Sequence, residues 1–147
     1  MKKRSLYIVI LIFALVGVRA VGAHVFYDPL IPFFHNTDYQ FMKIPELNSW
    51  KFIFSLMMRF LVNTGLTLLL VKVIFDKPGL VKLTGVILGI VFLVLAPIFL
   101  WLVFNAESEQ YRYLFYIRRI LIHPVLTLIL IPAFLYNERA SKKTSND

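Results

Sequence analysis

Apolar residues dominate four stretches of this chain, and short polar segments separate them. The apolar stretches cover about residues 6–25, 52–75, 80–104 and 113–136. Each contains the roughly 20 mainly apolar residues that a helix needs to cross the hydrocarbon core of a bilayer. The pattern therefore predicts an all-α integral membrane protein with four transmembrane helices, folded as a single domain of 147 residues.

The polar segments indicate how the four helices are connected. Asp76-Lys77-Pro78-Gly79 contains proline and glycine, which favour chain reversal, so it predicts a tight turn between the second and third spans. Segments 26–51 and 105–112 are predicted to be loops on one side of the membrane. The polar tail 140–147 is predicted to be disordered.

Lysine and arginine are unevenly distributed between the two sides of the predicted bundle. If the spans alternate in direction, one side carries nine basic and three acidic residues, and the other carries three basic and five acidic residues. The more basic side is cytoplasmic in membrane proteins, so we predict cytoplasmic termini and outer loops at 26–51 and 105–112. The nine basic residues are Lys2, Lys3, Arg4, Lys72, Lys77, Lys82, Arg139, Lys142 and Lys143.

The first apolar stretch has an alternative interpretation. A basic start, an apolar run and the segment Val21-Gly22-Ala23 are also typical of a secretory signal peptide, here one cleaved after Ala23. Apolar character continues from Ala20 to Phe26, which favours an uncleaved helix. The other three spans keep their orientation in either case.

Composition restricts the chemistry. The net charge of +8 is accounted for by the topology, so we infer no nucleic-acid partner. The chain has no cysteine, which excludes a thiolate metal site and a cysteine nucleophile. Its three histidines, His24, His35 and His123, have no metal-ligand spacing, and no serine or threonine pairs recognisably with a base. The sequence therefore predicts no cofactor, metal or catalytic residues.

Charged side chains nevertheless interrupt the apolar stretches. A guanidinium at the bilayer centre costs about 2.5–3.5 kcal/mol on insertion scales, so such residues usually face a bundle interior or a cavity. With a rise of about 1.5 Å per residue, the arginines lie about 8–12 Å below the outer boundary. These arginines are Arg19, Arg59, Arg118 and Arg119. The candidate counter-charges in the outer loops are Asp28, Glu46, Glu107 and Glu109.

Helical spacing groups these residues into a candidate site. Asn63 follows Arg59 by four positions, and His123 follows Arg119 by four, so each pair shares a helix face. Arg118 and Arg119 point about 100° apart, so at least one of them is expected to face protein. We predict that Arg59, Asn63, Arg118, Arg119 and His123 form an outward-facing site for an anion or an acidic partner.

Alternatives to this site remain open. Arginines near a boundary can extend to lipid headgroups by snorkelling, which is the interpretation we favour for Arg19. His123 precedes Pro124, so it is either a proton carrier or a polar residue that bonds a carbonyl freed by the proline.

At these residues the chain resembles the exosortase F system-associated membrane protein family. The resemblance covers nearly the whole chain in length, number of spans and motif order. It implies a multi-pass protein of the bacterial inner membrane with exosortase F as its partner. The motifs are Phe26-Tyr27-Asp28-Pro29, Arg59-Phe60-Leu61-Val62-Asn63, Phe115-Tyr116-Ile117-Arg118-Arg119-Ile120-Leu121-Ile122-His123-Pro124 and Ile131-Pro132-Ala133-Phe134.

The resemblance also implies a role. Exosortases use a cysteine and are thought to process proteins with a C-terminal sorting signal during export, and this chain has no cysteine. It would therefore be an accessory protein of the sorting system. Two alternatives stay open: a binder of an anionic or polyprenyl-phosphate lipid, and an enzyme acting on a lipid-linked substrate with His123 as its acid/base.

Overall fold

The computed structural model describes residues 2–122 and 125–144, and this part of the chain is helical, with no β-strand. Short 3₁₀ turns at Tyr39–Phe41 and Ser108–Gln110 lie in the two longest connections. The helices are α1 (Lys2–Val25), α2 (Leu30–His35), α3 (Ser49–Phe75), α4 (Pro78–Asn105), α5 (Tyr111–Ile122) and α6 (Val125–Thr144).

Three helices are long and apolar enough to cross a membrane, namely α1 over Lys3–Gly22, α3 and α4. A fourth crossing is formed if α5 and α6 count as one span, although the segments on either side of residues 123–124 differ in direction by 58°. The prediction of an all-α membrane protein is confirmed to this extent. The fourth predicted span, 113–136, corresponds to parts of α5 and α6, which the structure describes on either side of residues 123–124.

The C-terminal helix is longer than its hydropathy indicates. α6 continues to Thr144, whereas the fourth apolar stretch ends near residue 136. Residues 140–144 are therefore helical and not the start of a disordered tail. Alanine and lysine in this segment are good helix formers, and adding a residue to an existing helix is easier than starting one. Residues 145–147 lie outside the described part of the chain.

The predicted hairpin between α3 and α4 is present and very tight. Asp76 ends α3 in the left-handed conformation, with φ 52° and ψ 33°, and its N–H donates to the carbonyl of Lys72. Pro78 then begins α4, where its fixed φ suits a first helical turn and its missing N–H is no loss.

Two contacts bring the ends of other helices to this hairpin. The Arg4 guanidinium donates to the carbonyls of Val73 (2.7 Å from Nε) and Ile74. Lys77 Nζ lies 2.7 Å from Glu138 Oε1 on α6. The start of α1, the α3–α4 turn and the C-terminal half of α6 thus meet at one end of the bundle, which we call the basic end.

The opposite end, which we call the loop end, contains α2 and the start of α5. The apolar core of the molecule is concentrated there, because α2 folds back over the helices and buries Leu30 and Phe33. The Phe33 ring meets Tyr111 of α5 edge to face at 5.4 Å, and Phe34 meets Phe115 at 5.3 Å. The connection between α1 and α3 is therefore packed against the bundle.

The central helix, α3, carries a buried polar stripe. Ser55, Arg59, Asn63 and Thr67 recur at every fourth position, and all four are buried. Spacing of four residues places them on one face. That face is turned towards α1 and α5, so the stripe is placed to meet polar groups from both helices.

Candidate anion-binding site

Asp28 is the centre of a buried ion cluster at the loop end. It lies between α1 and α2, and its Oδ1 accepts a hydrogen bond from the N–H of Leu30 at 3.2 Å. Aspartate commonly bonds the backbone two residues ahead in this way, which orients the carboxylate. Oδ2 then faces the bundle, where the Asp28 side chain is only 3% exposed.

Arg59 of α3 is the first partner of this carboxylate. Its Nη1 donates to Asp28 Oδ2 at 2.7 Å, and its Nη2 donates to the carbonyl of Gly22 near the end of α1. The guanidinium carbon also lies 5.3 Å from the ring centre of Phe26. A Cβ added at Gly22 would lie 3.4 Å from Nη2, an ordinary van der Waals distance, so the approach does not require glycine. Arg59 thus connects its own helix, α3, with the end of α1 and with the segment between α1 and α2.

Arg118 of α5 is the second partner. Its Nη2 donates to the same oxygen, Asp28 Oδ2, at 2.6 Å, and its guanidinium carbon lies 5.8 Å from the ring centre of Phe34. Its Nε is buried and has no hydrogen-bond partner within residues 2–122 and 125–144. Charge-assisted hydrogen bonds of this kind are the strong ones in proteins. One carboxylate therefore serves two guanidinium groups, which leaves the cluster with a net charge of +1.

A cavity of about 220 Å³ lies beside this cluster. Three arginines from three helices line it, since Arg19 of α1 joins Arg59 and Arg118 there. Arg19 is exposed, and no ion pair or hydrogen bond joins its side chain to the described residues. The remaining lining residues are Val18, Ile31, Asn63 and Ile122. Three cationic side chains thus line the cavity, and a single carboxylate, that of Asp28, pairs with two of them.

A neutral polar seam continues from the cavity along α3. Asn63 Nδ2 donates to the carbonyl of Ile122 at 2.7 Å, and Ile122 is the last residue of α5, where carbonyls lack helical partners. Thr67 Oγ1 donates to the Asn63 carbonyl at 2.7 Å and lies 2.8 Å from Thr127 Oγ1 on α6. This seam supports the α5–α6 junction.

The structure brings together only part of the residue set predicted from the sequence. Arg59, Asn63 and Arg118 line one cavity. Arg119 is exposed and does not line it. His123 lies outside the described residues, so the Arg119/His123 pair stays a prediction. Arg19, for which we favoured snorkelling, is exposed and also lines the cavity.

Sequence reasoning missed several polar residues of this region. Ser55, Thr67 and Thr127 are buried, and two of them hydrogen-bond each other. The spacing of Ser55 and Thr67 from Arg59 and Asn63 was an available signal. Thr127 gave none, because its partner is on another helix.

The chemistry of the site favours the binding of an anion. Across residues 2–122 and 125–144, no group of three or more histidine, cysteine or acidic side chains is placed to hold a metal ion. What the arrangement offers is an excess of fixed positive charge in a small, partly apolar cavity. Guanidinium groups present a planar fork of donors that matches carboxylate and phosphate oxygens.

Fold and site together define a helical protein with several helices apolar enough to cross a membrane and a buried arginine–aspartate cluster at one end. No family model, curated protein or solved structure matches the chain.

Proposed function

We propose that this chain is a multi-pass membrane protein that binds one anionic group in the cavity lined by Arg19, Arg59 and Arg118. The observation that supports this most directly is the charge balance: three guanidinium groups line a cavity of about 220 Å³, and one carboxylate, that of Asp28, pairs with two of them. Uncompensated charge is costly inside a membrane protein, so a second anion would stabilise the site.

The distribution of charge supports an orientation of the bundle in the membrane. The basic end carries most of the lysines and arginines counted as cytoplasmic, so both termini are cytoplasmic in this proposal, and the loop end is extracytoplasmic. The cavity would then open in the outer half of the bilayer. A four-span arrangement, with α5 and α6 as one bent span, completes the proposed topology.

We further propose that the protein is an accessory subunit of an exosortase system in a bacterial inner membrane. The support is the resemblance of its motifs, together with their positions. Asp28, Arg59 and Arg118 come from three different motif segments. Arg59 lies 31 positions after Asp28 and Arg118 lies 90 positions after it, yet all three meet in one cluster. In this role the bound anion belongs to the sorting machinery or its membrane surroundings.

The test is a co-expression experiment with exosortase F and a substrate protein that carries its sorting signal. Arg19→Gln is the informative variant, because Arg19 lines the cavity but has no ion-pair partner among the described residues, so the fold does not depend on it. We expect substrate processing to fall about tenfold or more, as for loss of a charged hydrogen bond. Arg19→Lys should restore part of it.

Arg119→Gln is the matched control, since it removes an exposed arginine that does not line the cavity. Processing should be unchanged in this variant. Equal processing by wild type and Arg19→Gln would refute the anion site. Normal processing in cells that lack the protein altogether would refute the exosortase assignment.

A further inference from the structure

An apolar groove adjoins the cationic cavity, and Arg19 lines both. The groove has a volume of about 380 Å³ and lies between α1, α3 and α6. Its walls include Ile12 and Val16 of α1, Leu70 of α3, and Leu128 of α6. Among the described residues, Arg19 is the one charged side chain that lines it. The cavity and the groove therefore form a continuous surface, cationic towards the loop end and apolar towards the basic end.

The groove has the size and lining for a chain-like apolar ligand. From Arg19 to Ile12 it follows α1 for about 10 Å, at a rise of about 1.5 Å per residue. Its volume falls within the roughly 300–1,000 Å³ typical of small-molecule sites. A single hydrocarbon chain is thin, flexible and apolar, so it matches these walls. If that chain carries an anionic headgroup, the headgroup lies beside Arg19 in the cationic cavity.

A buried hydrogen-bond donor in the adjoining cavity indicates which chemical group the polar end of the ligand carries. Arg118 lines the cavity, and its buried Nε has no acceptor in the part of the chain that the structure describes. A buried unpaired donor is costly, and an anionic oxygen in the cavity would supply the missing acceptor. Phosphate oxygens suit several guanidinium groups at once, because they are spread around one centre.

We propose that the site takes a phosphate-bearing anionic lipid, with its headgroup in the cavity and one hydrocarbon chain in the groove. This inference rests on the proposed function, and it names the kind of anion. The shared chemistry is a lipid phosphate with a net negative charge, whether on a glycerol backbone or on a polyprenyl chain. Arg19 contacts the junction between headgroup and chain.

The experiment uses the full chain reconstituted in phosphatidylcholine nanodiscs that contain a minority of phosphatidylglycerol, followed by native mass spectrometry after transfer to mild detergent. We expect one phosphatidylglycerol retained per chain, in strong preference to phosphatidylcholine. A second arm adds glycerol 3-phosphate, which has the headgroup charge without a chain, and it should not displace the lipid. A third arm replaces phosphatidylglycerol with a polyprenyl phosphate and separates the two lipid sources.

Two pairs of variants test the headgroup and the chain separately. Arg19→Gln should lower lipid retention about tenfold or more, while Arg119→Gln should not change it. Val16→Trp fills the groove from an exposed position and should lower retention similarly. Val21→Trp is its control, since Val21 is equally exposed on α1 and lies outside the groove. Thermal unfolding of each variant should match wild type.

The outcomes separate this inference from the proposed function. Equal retention of both phospholipids, or displacement by glycerol 3-phosphate, would overturn the lipid inference. A second outcome is that no lipid is retained but Arg19→Gln still abolishes processing and the exosortase complex. An acidic group of the partner protein then occupies the cavity, and only the lipid inference fails. If lipid is retained through Arg19 but the protein does not affect sorting, the lipid inference holds and the exosortase role fails.

Discussion

The two ends of the molecule each have an ion pair, and the two pairs differ in burial, not in length. At the basic end Lys77 Nζ lies 2.7 Å from Glu138 Oε1, with side chains 55% and 26% exposed. At the loop end Arg59 Nη1 lies 2.7 Å from Asp28 Oδ2, with side chains 6% and 3% exposed. The distances alone would rank the two pairs as equal. Their surroundings make them physically different.

The two pairs differ in how much stability the protein would lose if one partner were removed. Lys77 would remain at an exposed position, where solvent and salt screen it, so the pair contributes little. Arg59 and Arg118 would be left as two uncompensated guanidinium groups in a buried site, which is strongly destabilising. The buried cluster also differs in stoichiometry. It pairs one carboxylate with two guanidinium groups, and this excess is what makes it a candidate for binding a further anion.

Asp28→Asn should have the largest effect, because it removes the carboxylate charge from the cluster. The amide oxygen can still accept the Leu30 N–H, so the local turn is kept and the charge is isolated as the variable. We expect a loss of about 3–5 kcal/mol in the free energy of unfolding, measured in lipid bicelles. Lys77→Gln, which breaks the exposed pair, should lose about 0–1 kcal/mol. Equal losses in the two variants would show that burial does not distinguish the ends.

Arg118→Gln and Arg119→Gln form the next test, because they compare neighbouring residues of one helix. Arg118 donates to Asp28, whereas Arg119 is exposed. Removing the Arg118 bond should destabilise the protein by about 1.5–3 kcal/mol, the range for hydrogen bonds to charged groups. Arg119→Gln should stay within about 0.5 kcal/mol of wild type. A larger effect at Arg119 than at Arg118 would favour the Arg119/His123 pair predicted from the sequence.

The comparison of Arg118 with Arg119 also shows what was predicted from the sequence and what was not. Hydropathy was sufficient to predict the apolar helices, because about 20 consecutive apolar residues leave few alternatives. Helical geometry was sufficient to say that Arg118 and Arg119 point in different directions. A signal for which one faces inwards was present but not used: Arg118 follows Leu114 by four positions and precedes Leu121 by three, which puts it on the buried apolar face of α5.

The sequence also could not identify which acidic residue is the counter-ion of the arginines. Asp28 was one of four acidic residues in the predicted outer loops, and choosing among them requires the path of the connection between α1 and α3. That path depends on α2, whose aromatic residues pack on α5 and bring Asp28 over the bundle. Contacts between residues 31 and 90 positions apart leave no periodic signal in one sequence. The 58° change of direction between α5 and α6 was not predicted either, since a proline within an apolar run is compatible with a continuous span as well as with a bend.

Thr127→Val gives the smallest expected effect and asks whether burial alone makes a polar contact valuable. Thr127 is 3% exposed, as deeply buried as the ion cluster, but its partner Thr67 is neutral. Valine keeps the shape and removes one hydroxyl, so we expect a loss of about 0.6 kcal/mol, the average for hydrogen bonds between membrane helices, measured by the same unfolding assay. Thr84→Val is the control, because that hydroxyl bonds only within α4, to Leu80. If Thr127→Val were as costly as Asp28→Asn, burial and not charge would explain the difference between the two ends.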